Sequence, residues 1–255
     1  MSDIPSKKAG PTKTRLDVLL VERGLAETRA KAQALIMAGK VFSGERKLEK
    51  AGLTVTSETA VEVRGEPHPW VSRGGVKLAH ALQHFNLSLK DRVVMDVGSS
   101  TGGFTDVALT DGAVKVYAVD VGRGQLHWKL RTDARVVVLE SQNARALTNA
   151  EIPEPVGAIV TDASFIGLET ILPTPLGFAA PGCVLVALIK PQFEVGPDRV
   201  GKGGIVRDPA LWAEVCERIQ AFVAAQPGWR VLGISESPIQ GRDGNHEFLI
   251  AAVKS

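Results

Sequence analysis

A chain of 255 residues, 44% of them apolar, is long enough for one large domain or for a medium domain and a small one. The formal charge of +2 is unevenly spread: residues 1–64 carry 12 Lys/Arg against 8 Asp/Glu, which points to a polyanionic partner for that basic first quarter. No apolar run reaches the roughly 18 residues of a membrane span, and the first 13 residues lack a signal-peptide core, so a cytoplasmic protein with no membrane partner is expected.

Residues 1–13 are polar, with Pro and Gly, and read as a disordered tail. RLDVLLVERGL then has helical spacing, with Leu16, Leu19 and Leu20 on one face and Gly24 as its stop. A second helix is expected from Glu27 or Thr28 to Gly39, then a short strand at 41–42 and a turn at Ser43 and Gly44. LTVTSETAVEVRG alternates as further strands do. Two helices and a small curved sheet give an α+β module over 14–64, near the lower size limit for independent folding. The Pro- and Gly-rich segment 65–74 reads as a linker, and VKLAHALQHF after it as a helix carrying Lys77.

The most informative stretch is VVMDVGSSTGGFTD. An apolar run ends at Asp96, breaks into a turn holding Gly98, Ser99, Gly102 and Gly103, and continues as a helix from Phe104. A second apolar run, VKVYAVD, ends at Asp120. Strand, glycine turn, helix, then strand with a terminal acid is how a doubly wound sheet holds an adenosine-bearing cofactor, the acid accepting ribose hydroxyls. The turn has GxxxGG spacing rather than the GxGxxG of dinucleotide enzymes, which disfavours a nicotinamide oxidoreductase. Strands are expected near 93–96, 115–119, 135–139, 157–161, 183–189, 230–235 and 247–252, alternating with helices. This is an α/β, doubly wound, mostly parallel sheet, with the last two strands forming an antiparallel hairpin at one edge.

Ligands in such sheets bind beyond the carboxyl ends of the strands. Four polar residues end strands here: Asp96, Asp120, Asp162 and Lys190. A lysine closing VLVALI either snorkels to the surface or serves a site, and the neighbouring Asp162 favours the second. The loop GPDRVGKGGIVRDP beside it reads as a flexible lid facing the polyanionic partner, with Arg199, Lys202 and Arg207 available to phosphates, or as a plain surface loop. Trp70 either packs or stacks on a base. Cys183 and Cys216 read as free thiols, and no His or Cys spacing suggests a metal.

Two resemblances add to this. R-L-D-x-x-L followed by T-R-A-x-A-x-x-L-I-x-A-G-x-V resembles the alpha-L RNA-binding module of a ribosomal protein and several RNA-modifying enzymes. It implies RNA contacts at Arg15, Arg29, Lys31 and Lys40, with Arg73 of SRGG added nearer the larger domain. Lys77, Asp162, Lys190 and Glu247 resemble the K-D-K-E tetrad of FtsJ-like RNA 2′-O-methyltransferases. With SRGGVKL, DVGSSTGGFTD, AVDVGRGQL, TDASFI, LIKPQFE, GKGGIVRD and GNHEFL, the chain is similar to the TlyA (hemolysin A) family over about residues 14–253.

That likeness implies a Rossmann-like class I methyltransferase domain over 75–255, using S-adenosyl-L-methionine on the ribose 2′-hydroxyl of ribosomal RNA, cytidine by family, with ribosomal subunits as partners. The four tetrad residues would be catalytic. Asp96, Gly98, Ser99, Gly102, Gly103, Phe104, Asp120 and Asp162 would face the cofactor, with Glu140 and Asn143 flanking its adenine. Lys190 would act either as a base of lowered pKa or as a charged group steering the hydroxyl. A non-catalytic RNA-binding or assembly protein on the same fold is the competing reading, disfavoured by two inward lysines. A membrane-lytic role, which the hemolysin name suggests, finds no amphipathic basic segment to support it.

Overall fold

The computed structural model describes residues 13–26, 28–44, 46–63, 68–241 and 244–255, and its contacts divide the chain into two units, Met1–Pro67 and His68–Ser255. The expected tail lies outside the described residues except for Lys13, as do residues 65–67 of the expected linker.

In the smaller unit β1 (Lys13–Arg15) leads into α1 (Leu16–Glu22), and α2 (Arg29–Met37) follows. Thr28 caps α2 by accepting from the Lys31 N–H. Gly24 and Gly39, both in the left-handed region at φ +68° and +65°, stand just past the two helices. Four short strands complete the unit: β2 (Val41–Ser43), β3 (Arg46–Lys47), β4 (Thr54–Thr56) and β5 (Glu62–Val63). They form two sheets rather than the single one expected: an antiparallel β1–β4 ribbon and the three strands β3-β2-β5. The reason lies in Lys13, expected as tail, and Thr14, which pair with Thr56 and Val55 and so become strand. The core is small: Leu16, Leu20, Ala32, Ile36, Val41 and Leu48.

The larger unit begins with α3 (Gly74–His84) and β6 (Val93–Val97). The chain continues through α4 (Gly103–Thr110), β7 (Lys115–Asp120), α5 (Trp128–Arg131), β8 (Val136–Glu140) and β9 (Val156–Thr161). Next come α6 (Leu168–Ile171), α7 (Pro173–Leu176), β10 (Ala179–Ile189), α8 (Pro191–Glu194), α9 (Pro209–Ala224), β11 (Trp229–Glu236) and β12 (Phe248–Lys254). Seven strands lie in the order β11-β12-β10-β9-β6-β7-β8, parallel except that β12 runs antiparallel to both β10 and β11. The doubly wound α/β class follows the sequence pattern. The final hairpin sits at one edge as expected, although its second strand inserts beside β10 and leaves β11 outermost.

Alternation along the buried strands feeds two cores. Met95 and Val97 of β6 and Ile159 of β9 pack with Val215, Ile219 and Val223 of α9 on one face. Val94, Ala158 and Val160 pack with Leu78 and Leu82 of α3 and Phe104 of α4 on the other. The chain moves outward from β6 to β7 and β8, then returns to lay β9 against the other side of β6. The crevice beyond the carboxyl ends of β6 and β9 is therefore the topological switch point, where such sheets bind ligands.

Candidate active site

Gly98, just after β6, has φ +78°, and a Cβ built there would come within 2.9 Å of the Ala163 Cα just after β9. Only glycine lets the two backbones pass this closely. Gly102 (φ +95°) caps α4 in the left-handed region, and a Cβ on Gly103 would meet the Ser72 hydroxyl at 2.3 Å. These contacts fix the turn between the strand ends and the segment before α3. Trp70 of that segment lies against Gly75, half-buried in its own unit's core, so packing is its place here.

A cavity of about 510 Å³ opens at this point. Gly98, Ser99, Gly103, Phe104, Lys77, Asp162, Lys190 and Glu247 line it, and Arg73 does too. The four tetrad side chains arrive from α3, the end of β9, the end of β10 and the residue before β12. They form a line of alternating charge. Lys190 Nζ stands 2.6 Å from Asp162 Oδ1, Lys77 Nζ stands 3.6 Å from Asp162 Oδ2, and Lys77 Nζ donates to Glu247 Oε2 at 2.6 Å. Lys77, Lys190 and Glu247 are buried, at 4%, 7% and 3% exposure, so each charge needs the next one in the line. Lys190 Nζ also donates to the Asp162 backbone carbonyl at 3.0 Å and to Ser164 Oγ at 2.9 Å. Nothing in the sequence pattern singled out Ser164.

Five residues expected at the cofactor do not line the cavity. Gly102 is shut off by Leu126 and Leu130. Asp96 is fully buried beneath the turn, where its Oδ2 accepts from Thr105 Oγ1 at 2.6 Å. Burial pushes its carboxyl up to about 7, with the Thr105 hydrogen bond working against that. Asp120 ends β7 with Oδ2 accepting from the Ser100 N–H at 2.8 Å and Oδ1 from the Gly122 N–H at 2.7 Å. Glu140, across from Asp120 in the β7–β8 register, is paired with Arg131 at 2.5 Å. Backbone hydrogen bonding at Gly124 first, and Arg131 second, hold its carboxyl down to about 2. Asn143 spends its side-chain oxygen capping a turn at the Arg145 N–H. Glu140 and Asn143 thus build the loops beyond β7 and β8.

The raised value for Asp96 makes stability pH-dependent. Its carboxyl titrates normally near 3.8 when unfolded and about 7 when folded, so the neutral form is favoured inside. The group costs nothing below about pH 4, and the cost grows as pH climbs toward 7. Asp96→Asn, which cannot ionise, is expected to flatten melting temperature against pH over that window. Parallel curves for both proteins would refute the assignment.

Behind the cavity, Glu194 Oε1 accepts from the Leu168 N–H at 2.8 Å, and Arg218 reaches the Glu194 carbonyl at 2.9 Å and pairs with Glu169. This cluster ties the stretch after β9 to the one after β10. The loop expected as a flexible lid is pinned as well. Arg199 holds Glu214 through both guanidinium nitrogens, and Trp212 Nε1 donates to the Val206 carbonyl at 2.9 Å.

In the smaller unit, Arg15 and Arg29 converge on one carboxylate that the sequence pattern left unnoticed. Asp17, with no exposed side-chain surface, accepts from Arg15 at 3.0 and 2.9 Å, from Arg29 at 3.2 Å and from Gln33 at 2.8 Å. Arg15 first of all holds its carboxyl well below the usual range. Lys31 is exposed on α2 and Lys40 half-buried just after it.

Residues 70–254 match the family model for the FtsJ-like methyltransferase, and residues 14–61 that for the S4 domain. The chain belongs to the FtsJ-like methyltransferase family. It is 53% identical over 239 residues to "Putative rRNA methyltransferase YqxC" of Bacillus subtilis, covering 93% of this chain and 85% of that one. It is 46% identical over 239 residues to the 16S/23S rRNA (cytidine-2'-O)-methyltransferase TlyA of Mycobacterium tuberculosis, covering 93% and 89%. The solved structure "Putative hemolysin from Streptococcus thermophilus" superposes with a TM-score of 0.75 at 44% identity, covering 97% of this chain and 90% of that one. An FtsJ-like domain following an S4 domain is thus the domain order of this chain. No described helix is long and apolar enough to cross a membrane.

Proposed function

We propose that this methyltransferase uses S-adenosyl-L-methionine to methylate a ribose 2′-hydroxyl of ribosomal RNA, a cytidine by analogy with the relative named for that reaction. The observation that carries the proposal is the alternating line Lys190, Asp162, Lys77, Glu247 along one cavity at the switch point. The residues present fit the cofactor. Gly98 and Gly103 bring bare backbone to the cavity, and Asp120 keeps one lone pair on each oxygen free for ribose hydroxyls. S-adenosylmethionine would supply an electrophilic methyl carried on a sulfonium.

The protein's part is to place and polarise the accepting oxygen. Lys190 donates to the incoming 2′-oxygen in exchange for its contact with Ser164, the one acceptor around it not supplied by Asp162. Asp162 fixes that side chain and shares its other oxygen with Lys77, whose position Glu247 secures. The hydroxyl proton goes to Lys190 Nζ where the lysine has first released its own proton to solvent, or to solvent once the oxygen is alkylated where the lysine stays charged and only orients the hydroxyl. The S4 domain would bring the RNA, with Arg15 and Arg29 presented by Asp17.

The direct test is transfer of labelled methyl from S-adenosylmethionine to ribosomal subunits, followed by digestion to nucleosides. Label in a 2′-O-methyl nucleoside is expected; measurable cofactor binding with no label on any subunit or naked RNA would instead favour the non-catalytic reading. Asp120→Ala should weaken cofactor binding by about 1–3 kcal/mol, the cost of leaving buried hydroxyls unpaired. Calorimetric titration giving the wild-type affinity would remove Asp120 from the site.

A further inference from the structure

The segment after α8 forms a tight hairpin at the cavity. Gly201 and Ile205 pair as an isolated bridge, Gly204 N–H donates to the Gly201 carbonyl at 3.1 Å, and Gly203 and Gly204 line the cavity. Glycine is required throughout. Gly203 and Gly204 sit at φ +79° and +77°, and a Cβ on Gly201 would stand 2.7 Å from the Ile205 carbonyl. A glycine-rich turn would be loose on its own, but Asn245 holds it. This side chain, 3% exposed, donates to the Gly204 carbonyl at 3.0 Å and accepts from the Val206 N–H at 3.1 Å. Asn245 precedes Glu247 by two residues, so one stretch of chain positions both the hairpin and the end of the charge line.

Lys202, the one side chain of any length in Gly201–Gly204, is exposed and has no carboxylate partner among the described residues. By contrast, Arg199 is spent on Glu214. The backbone N–H groups of Lys202 and Gly203 likewise face no acceptor among the described residues. A fixed turn that offers an uncompensated cation and free amides is built for an anion. A nucleotide whose ribose enters this cavity carries a phosphate on each side of that ribose.

We infer that the Gly201–Ile205 hairpin is a phosphate-binding finger in which Lys202 grips the RNA backbone next to the methylated ribose and Asn245 holds the finger in place. The inference rests on the methyl-transfer reading for its ligand. Contacts of this kind set register without reading sequence.

Binding of the full chain to ribosomal subunits across a salt series tests it, with Lys202→Ala, Asn245→Ala and Lys90→Ala as variants. Lys90 is exposed ahead of β6, at the opposite end of the sheet, and serves as the control. Lys202→Ala should bind more weakly and lower the slope of log affinity against log salt by about one, the loss of one phosphate contact. Asn245→Ala should weaken binding in the same direction with the lysine intact, and Lys90→Ala should match wild type. Cofactor affinity should persist in Lys202→Ala and Lys90→Ala. A wild-type slope in Lys202→Ala overturns the finger even if Asn245→Ala fails to fold, because Lys202 is a surface residue. Bound subunits without methyl transfer would sink the enzymatic reading and leave the slope to judge the finger; no subunit binding at any salt would sink both.

Discussion

Lys190→Ala is expected to lower the turnover number on the order of 10²–10⁴-fold, the usual loss when a group that places or takes the proton of a reacting hydroxyl is removed. The affinity for S-adenosylmethionine should stay near wild type, because Lys190 faces Asp162 and Ser164 rather than the glycine turn. Lys190→Arg separates the two roles the residue can play. Arginine keeps the charge and cannot give up its proton, so a charge-steering site should retain part of its rate in that variant, whereas a site needing a lysine base should retain none. Single-turnover methyl transfer and cofactor titration on all three proteins supply the comparison. Equal loss of rate and cofactor affinity in Lys190→Ala would mark the residue as structural, since Asp162 would then lose its nearer cation and the ends of β9 and β10 would shift together.

The second large effect is expected in the smaller unit. Asp17→Ala removes a carboxylate with no exposed surface that organises Arg15, Arg29 and Gln33. The two arginines are half-exposed or more and can rehydrate, so the cost is chiefly the lost charged hydrogen bonds, about 1.5–3 kcal/mol. A core as small as this one rarely supplies more than about 3–5 kcal/mol, so the change is enough to melt much of the unit. Hydrogen exchange should quicken throughout residues 16–63, and affinity for ribosomal subunits should fall with it. Unaltered exchange would mean that Asp17 is a bystander. The same pairing predicts an acid limb. A carboxyl held below its ordinary value of 3.8 contributes its full stability above that range and loses it as pH falls through the folded value, so this unit should open first on acidification.

Much of the architecture was legible because strand ends and glycine turns leave strong local marks. The apolar runs ending in Asp96, Asp120, Asp162 and Lys190 are β6, β7, β9 and β10, with a residue or two of drift at most ends. Their spatial order was less legible, since nothing local says that β12 inserts between β10 and β11. Polar partnership was the hardest to read. Asp17 in LDVLLVE looks like any surface acid on a helix, and its burial depends on Arg15, Arg29 and Gln33 meeting over it. Asn245 and Ser164 were passed over for the same reason: their partners lie 41 and 26 residues away. Glu140 and Asn143 show the converse. Position after a strand suggested a ligand, and the structure adds that nearby backbone amides and Arg131 already engage Glu140 Oε1 and Asn143 Oδ1.

The Lys77–Glu247 contact joins residues 170 positions apart, and β12 beside Glu247 completes the sheet between β10 and β11. A chain still being synthesised can finish its S4 domain early, but Lys77 lacks its nearer carboxylate until the stretch around residue 247 has left the ribosome. Competence for chemistry therefore comes late, after the unit proposed to bring the RNA has already folded. A nascent copy could hold ribosomal RNA without being able to alter it, and any truncation before β12 would freeze the protein in that state.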